Sequence, residues 1–214
     1  MATTKQRRGV FKFLVDCLYS IVSFAVLVLL MWAFVFSFVL RTVEVDGVSM
    51  QDTLQDGQRM ILISTVYNPQ RGDIVVANRL EQSETDRLGI SVYKEPIIKR
   101  VIGVAGDVVE VTPDAVYVNG AKLDEPYIHY ENTHPGITYV PQGTVFVMGD
   151  HRNASTDSRL TGPVAVENLM GHVVARMNAI TKVEVLPAVR YENVPDAPPT
   201  ELLEKAMKEA EADE

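Results

Sequence analysis

The chain has one cysteine, Cys17, so no intrachain disulfide can form in any redox compartment. It also lacks a clustered basic face of the kind that binds nucleic acid. Residues 191–214 hold eight acids and two bases, which is −6 of the total net charge of −8, so residues 1–190 are near neutral at −2. Nucleic-acid binding is therefore not expected. The roughly 150 residues between the apolar run described below and this tail can form one stable core.

Motifs for metals and nucleotides are also missing. His129 and His134 flank Glu131, but they lack the i, i+4 helical spacing of the histidine pair in zinc proteases. The glycine-containing segment 103–107 follows an expected strand without the lysine-containing helix start of a phosphate-binding loop. We therefore expect no cofactor.

Only one long apolar run is present, at residues 17–40. Its 24 residues contain no charge, and a helix that rises about 1.5 Å per residue can cross a hydrocarbon layer of about 30 Å over this length. The alternative is a cleavable signal peptide, which has a shorter apolar core and a small-residue cleavage site. Because Arg41 follows Leu40 directly, the run predicts a retained transmembrane helix.

The residues before the run predict its orientation. Four bases precede it against one acid: Lys5, Arg7, Arg8, Lys12 and Asp16. By the positive-inside bias such a segment stays in the cytoplasm. The expected organisation is a basic cytoplasmic segment at 1–16, a single span at 17–40, an extracytoplasmic domain at 41–190 and an acidic tail at 191–214. The tail follows a proline-rich linker, and its sequence is compatible with a helix or with disorder.

The segment between the span and the tail consists of short β-rich runs separated by turn residues. Eight runs are expected to be strands: residues 43–45, 59–64, 73–78, 97–104, 108–111, 115–118, 144–148 and 172–177. Asn119 and Gly120 are typical of a two-residue hairpin turn in which both residues take positive φ. Residues 80–89 are expected to form a polar excursion. The pattern predicts a mostly β domain.

Three polar segments could carry chemistry, and the first contains Ser49, nine residues beyond Leu40. A serine is a poor nucleophile unless a base takes its proton and donors stabilise the oxyanion formed on the substrate. Gly47 would let the backbone approach a substrate carbonyl, and the Ser49 amide could serve as a donor. The alternative is an ordinary turn.

The second segment, residues 96–107, contains Lys99. At a strand period of two, Lys99 shares a face with Ile97 and Val101, so it has apolar neighbours whichever way the strand turns. Desolvation lowers the pKa of a lysine from about 10.4, which would allow the neutral amine to act as a base. The alternative is that the stem packs on the sheet while the ammonium reaches water.

The third segment is the polar loop at residues 149–159, which follows the expected strand at 144–148. Asp157 and Arg159 could form an ion pair that fixes the loop, and a serine within the loop could orient a neighbouring amine. The alternative is a hydrogen-bonded turn without chemistry.

In this order, behind an N-terminal apolar run, the segments resemble the bacterial type I signal peptidase family. The resemblance runs from the span to about residue 186 and includes a G-x-S-M-x-x-T-L motif at 47–54 and the segments 71–75, 98–103 and 149–159. The resemblance implies that Ser49 is the nucleophile and Lys99 the general base. It also implies that Ser155 orients the lysine and that Asp157 and Arg159 form a supporting ion pair. It also implies a mostly antiparallel β domain on the outer face of the membrane.

The resemblance further implies a membrane-bound serine endopeptidase that removes signal peptides from translocated preproteins. Its partners would be preproteins, the lipid bilayer and the nearby secretion translocon, and its substrates would carry small residues at the first and third positions before the cut. Five residues match positions that line the substrate pockets: Val43, Val45, Met50, Leu54 and Ile98.

Three residues depart from the family pattern. Asp52 stands where proline is usual, and His151 where asparagine is commoner. Gly47 stands where some members have a serine hydroxyl in the oxyanion hole, so the hole would depend on the Ser49 amide and a nearby donor.

Three other functions fit parts of the sequence. A serine–histidine protease could use His151, which adjoins Asp150. Soluble serine–lysine autoproteases of bacterial stress repressors share a similar catalytic β fold, but they carry a DNA-binding domain where this chain has an apolar run. The third possibility is a catalytically silent, anchored interaction module whose acidic tail recruits a partner.

Overall fold

The computed structural model describes residues 2–35, 39–51, 53–64, 67–79, 94–129, 131–179 and 182–212. The polar excursion expected at 80–89, and Asp52, lie outside these ranges. The chain forms two compact units, Met1–Arg41 and Thr42–Glu214.

The first unit consists mainly of one long helix, α1 (Ala2–Phe34). No proline interrupts residues 2–34, so the backbone hydrogen bonds can continue through the basic segment. The part long and apolar enough to cross a membrane is Phe11–Phe34, 24 residues. The predicted span at 17–40 has the same length but lies six residues further along the chain. The difference arises because the helix includes Lys12 and Asp16, whereas Leu40 already begins a strand.

Strands dominate the remainder of the described chain. In chain order they are β1 (Leu40–Glu44), β2 (Arg59–Ile63), β3 (Ile74–Arg79), β4 (Lys94–Val104), β5 (Val108–Val111), β6 (Val116–Val118), β7 (Ala121–Lys122), β8 (Gly136–Tyr139), β9 (Thr144–Met148), β10 (Val164–Ala165), β11 (Leu169–Ala179) and β12 (Lys182–Val185). Two further α-helices are α2 (Ser158–Thr161) and α3 (Thr200–Ala212), and a 3-10 helix spans Val166–Asn168.

The strands form two sheets. The larger has the order β1-β2-β11-β3-β4-β9-β10, with β12 paired to β11, and the smaller has the order β7-β6-β5-β8. Each pairing with a described register is antiparallel. The mostly β, antiparallel fold expected from the resemblance is therefore confirmed.

The two sheets are connected by a tight turn that leads from the end of β4 directly into β5, and they share an apolar core. Ile102, Phe146 and Met148 of the large sheet pack in one cluster with Val109 and Val118 of the small sheet. The predicted hairpin turn after β6 has positive φ at both residues, 53° at Asn119 and 83° at Gly120. The buried Asp107 carboxylate, in the turn between β4 and β5, accepts from Arg71 Nε at 2.7 Å and from Asn119 Nδ2 at 2.9 Å.

The acidic tail contains a packed helix. Ala206 of α3 is buried in a cluster with Val108 and Ile137, and Leu202 and Leu203 pack against this cluster. Lys205 Nζ lies 3.1 Å from Glu110 Oε1 on the small sheet. Of the two conformations compatible with the tail sequence, the structure therefore shows the helix, stabilised by an apolar face that meets β5 and β8.

Candidate active site

Ser49 and Lys99 meet although 50 residues separate them. Lys99 Nζ lies 2.8 Å from Ser49 Oγ and donates to the carbonyl oxygen of Ile98 at 3.1 Å. The lysine is 4% exposed, so its amine does not extend into open water as a snorkelling lysine would. The geometry places a buried amine in hydrogen-bond contact with a hydroxyl, which is the arrangement that proton transfer from the hydroxyl requires.

The turn that carries Ser49 is fixed by its neighbours. Met50 and Leu54 are fully buried in the core, so the two apolar residues of the motif anchor the turn on either side of its polar residues. The Leu54 amide donates to the Met50 carbonyl at 2.8 Å. The Gly47 amide donates to Asp56 Oδ1 at 2.8 Å, with a φ of 88° that favours glycine.

Strand β4 places Lys99 in the middle of the large sheet. Lys99 is opposite Val75 in the antiparallel pairing of β4 with β3, and both residues are buried. Val101, on the same face of β4 as the lysine, is completely buried, in agreement with the predicted apolar surroundings. The next residue, Arg100, points to the opposite face and makes different contacts.

The predicted ion pair fixes the loop at 149–159. Arg159 Nε and Nη2 each lie 2.8 Å from an oxygen of the Asp157 carboxylate, and the Gly149 amide donates to Asp157 Oδ2 at 2.9 Å. Burial by itself would raise the pKa of Asp157, but the Arg159 guanidinium and the Gly149 amide outweigh burial and lower it. The carboxylate therefore stays charged and holds both ends of the loop.

Ser155 packs against Gly149, which also lies close to the Ser49 carbonyl oxygen. Its Oγ is buried and makes no hydrogen bond with any described group, although the hydroxyl is near enough to Asp157 to help lower the pKa of that carboxyl. A Cβ added to Gly149 would lie 2.5 Å from both Ser155 Cβ and the Ser49 carbonyl oxygen, and closer still to Ser155 Oγ. Gly149 is thus the point at which the two serine-bearing segments come together.

Gly149→Ala should lower the catalytic rate at the Ser49–Lys99 pair about 100-fold, because relieving this clash would displace the Ser49 turn by roughly 1 Å. Gly136→Ala is the matched control, since a Cβ at Gly136 meets nothing within 4 Å. Steady-state cleavage assays compare the two variants. Wild-type activity in a correctly folded Gly149→Ala protein would show that the close approach is unimportant.

A second polar cluster, which no sequence motif indicated, lies against the Ser49 turn. Thr53 Oγ1 donates to Asp150 Oδ2 at 2.6 Å, and Arg100 Nε and Nη2 donate to the same carboxylate at 2.9 and 2.7 Å. Arg100 also donates to the Gly72 carbonyl at 3.0 Å and lies over the Tyr127 ring at 4.0 Å. Burial lowers the pKa of Arg100, but Asp150 outweighs burial and raises it, so the guanidinium is permanently charged.

His151 contacts the backbone of the nucleophile turn. Its own amide donates to the Ser49 carbonyl oxygen at 3.1 Å, and its ring Nδ1 lies 3.2 Å from the Val48 carbonyl oxygen. The base expected for a serine–histidine protease therefore has one ring nitrogen engaged with a carbonyl, while Lys99 lies against the hydroxyl.

The five residues predicted to line substrate pockets converge on one place. Val45, Met50, Leu54 and Ile98 belong to a single buried cluster, and Val43 packs against it. Met50 and Leu54 are among its fully buried members. Met50 and Ile98 are the chain neighbours of Ser49 and Lys99, so the backbone of the cluster adjoins that of the dyad.

Comparison with known proteins identifies the family of this chain. The sequence model of the family described as signal peptidase, peptidase S26, matches residues 18–178. The chain belongs to this family. It is accordingly a serine endopeptidase, and the resemblance recognised from the four sequence segments is confirmed.

Individual relatives carry related names. A protein named probable signal peptidase I-2 from Synechocystis sp. is 38% identical over 154 residues, which cover 70% of this chain and 68% of the relative. Signal peptidase IB of Staphylococcus aureus is 31% identical over 183 residues, covering 75% and 89% of the two chains. A crystal structure of a signal peptidase I from Enterococcus faecalis is 28% identical, covers 50% of this chain and 98% of that chain, and has a TM-score of 0.40.

Proposed function

We propose that this enzyme removes signal peptides from preproteins with Ser49 as the nucleophile and Lys99 as the general base. The observation that carries the proposal is the contact of 2.8 Å between Lys99 Nζ and Ser49 Oγ, made by a lysine that is 4% exposed. Burial disfavours the ammonium form of such a side chain, and a neutral amine can accept the serine proton.

The reaction proceeds in two acyl-transfer steps. Neutral Lys99 takes the Ser49 proton while Oγ attacks the scissile carbonyl carbon, and the ammonium then protonates the departing amine as the peptide bond breaks. Water next gives a proton to Lys99 and attacks the acyl-enzyme ester. Breakage of the ester bond returns that proton to Ser49 Oγ and releases the signal peptide with a free carboxylate.

The Ser49 amide supports the proposed oxyanion hole. It donates to no acceptor in the described part of the chain, so its N–H remains available to a substrate oxygen. Gly47, two residues earlier, contributes no side chain, and a Cβ there would meet nothing within 4 Å, which leaves room for a substrate beside the turn. A backbone donor of this kind acts on the charge that develops in the transition state.

Substrate choice would follow from the apolar cluster beside the dyad. An extended peptide can add to a strand edge, and its alternate side chains then point into the protein. Met50 and Leu54 are fully buried and Val45 and Ile98 nearly so, so a substrate side chain that docks on this cluster near the cut would have to be small. Small residues at the first and third positions before the cleavage site fit this arrangement.

Membrane anchoring accounts for α1. We propose that Phe11–Phe34 spans the bilayer once, with the N-terminus in the cytoplasm and the catalytic unit outside, near the secretion translocon. Fifteen residues separate Phe34 from Ser49, so the nucleophile can lie at most about 50 Å from the end of the span. The enzyme would therefore act on substrates that are still close to the membrane.

The test is cleavage of a preprotein by the full-length enzyme in detergent, with the new N-terminus determined by sequencing. Wild type should cut at a single site, and Ser49→Ala should show no cleavage above background. Lys99→Ala and His151→Ala, measured beside it, distinguish the alternatives. An active lysine variant with an inactive histidine variant would support the serine–histidine protease. Failure of the wild type to cleave any preprotein, with Ser49→Ala indistinguishable from it, would instead favour the interaction module.

A further inference from the structure

His151 holds the peptide groups on both sides of Ser49. Its backbone N–H donates to the Ser49 carbonyl oxygen at 3.1 Å, and its imidazole Nδ1 lies 3.2 Å from the Val48 carbonyl oxygen. The first contact belongs to any residue at this position, because it uses the main chain. The second depends on the side chain, and it is the contact that gives His151 an individual role.

The direction of the second contact follows from its acceptor. A carbonyl oxygen can only accept a hydrogen bond, so Nδ1 must carry the proton. Nδ1 therefore cannot also receive a proton from Ser49, which excludes this nitrogen as the base. The ring instead acts as a donor, in the neutral Nδ1–H tautomer and in the imidazolium alike.

The Val48 carbonyl belongs to the same planar peptide group as the Ser49 N–H. No cis peptide bond occurs in the described chain, so the two groups point in opposite directions across that plane. Fixing the carbonyl on one side consequently fixes the direction of the N–H on the other. A donor on the carbonyl also polarises the amide and strengthens the hydrogen bond that its N–H can make.

Two donors share the Val48 carbonyl. The Gln51 amide donates to it at 3.0 Å within the turn, and the His151 ring approaches from the loop at 149–159. The Gln51 contact is local and moves with the turn, whereas the His151 contact ties the turn to a loop that Asp157 and Arg159 hold rigid. Only the histidine therefore fixes the peptide relative to the rest of the site.

We propose that His151 is a positioning residue that directs the Ser49 N–H toward the substrate oxyanion. The proposal rests on the proposed function, in which that N–H is an oxyanion donor and Ser49 is the nucleophile. It assigns to the His151 side chain an effect on the transition state and none on ground-state binding of the peptide.

Three variants test the role of the side chain, all of which keep the backbone N–H. Asparagine places Nδ2 near the position of the histidine Nδ1, glutamine places its amide further out, and leucine supplies similar bulk without a donor. His151→Leu should lower kcat about 10-fold to 100-fold with an unchanged KM, which is less than the roughly 100-fold to 1,000-fold cost of losing an oxyanion donor itself. His151→Asn should restore kcat to near the wild-type value, and His151→Gln should not.

A peptide aldehyde provides a second measurement, because its adduct with serine resembles the tetrahedral intermediate. Its inhibition constant should rise across the series in proportion to the loss of kcat. His129→Leu, at an exposed histidine away from the dyad, is the control and should behave as wild type.

Three results would contradict the positioning role of His151. A folded leucine variant with wild-type kcat, a loss confined to KM, or failure of asparagine to restore kcat would overturn the proposal. Should the leucine variant not fold, the asparagine and glutamine variants decide: higher kcat for asparagine supports the role, and equal values overturn it. Cleavage by Ser49→Ala in the same assay would instead refute the proposed function itself.

Discussion

Lys99→Met should lower kcat/KM for preprotein cleavage by at least about 1,000-fold. Methionine has nearly the length of lysine and suits an apolar site, so it removes the amine without opening a cavity. The residue is buried between β3 and β9, and the loss of its amine leaves Ser49 Oγ without the group at 2.8 Å that could take its proton. The fold should persist, because methionine keeps nearly the same side-chain volume in this buried position.

Lys122→Met is the matched control for this substitution. Lys122 is an exposed lysine of β7 in the small sheet, so its replacement should leave cleavage unchanged. Single-turnover assays on both variants separate the chemical step from product release. If Lys99→Met retained more than about a tenth of the wild-type rate, a base that contributes roughly 100-fold or more could not be this lysine.

The pH dependence of the wild type tests the same group in a different way. Only the neutral amine can take the proton, so kcat/KM should rise with pH and level off once the lysine is deprotonated. Because burial disfavours the ammonium, the rising limb should give an apparent pKa well below the value of about 10.4 for a solvated lysine. A limb near pH 10 would indicate a hydrated amine and contradict the arrangement around β4.

Local pattern was sufficient to predict those elements whose residues carry their own signal. Strands β5 and β9 have the predicted bounds, since runs of Val and Phe are bounded by turn residues on both sides. The Asn119–Gly120 turn requires positive φ at both positions, which few residue pairs tolerate. Four strands, β7, β8, β10 and β12, were not predicted. Two residues, as in β7 and β10, are too few to form a pattern and depend on the neighbouring strand for their hydrogen bonds. The four residues of β8 lie among prolines and glycines that indicate a loop, and β12 is a short exposed strand whose pairing with β11 no local pattern shows.

The candidate site was predictable only in part, for a related reason. A serine beside glycine and a lysine between apolar residues can be recognised one at a time, but each by itself is compatible with an ordinary turn or a snorkelling side chain. The role of Thr53 depends on Asp150, 97 residues away, and no spacing in the sequence connects them. The contact of the His151 ring with the Val48 carbonyl was hidden for the same reason, and the adjacent Asp150 suggested a catalytic histidine instead.

Arg100→Met should be the most destabilising of the substitutions described here, with a loss of about 3 to 5 kcal/mol in the free energy of unfolding. The Asp150 carboxylate is 1% exposed and takes two hydrogen bonds from this guanidinium, at 2.9 and 2.7 Å. Without Arg100 the carboxylate stays buried with Thr53 as a remaining donor, which does not neutralise its charge. Denaturant unfolding of the full-length protein in detergent, followed by circular dichroism, measures the loss.

Combining Arg100→Met with Asp150→Leu should recover part of this stability, because the double variant no longer buries an unpaired charge. Arg176→Met is the matched control: its partner Glu184 is 46% exposed, so breaking that pair should hardly change the unfolding transition.

The double variant Arg100→Met/Asp150→Leu should cleave preproteins poorly even where its stability recovers, since Thr53 loses the carboxylate that holds the turn carrying Ser49. The double variant would then be stable but poorly active, because apolar residues can replace the ion pair in the fold but cannot hold the Ser49 turn. Equal unfolding free energies for wild type and Arg100→Met would mean that water reaches Asp150, and the buried pair could not be what fixes the nucleophile.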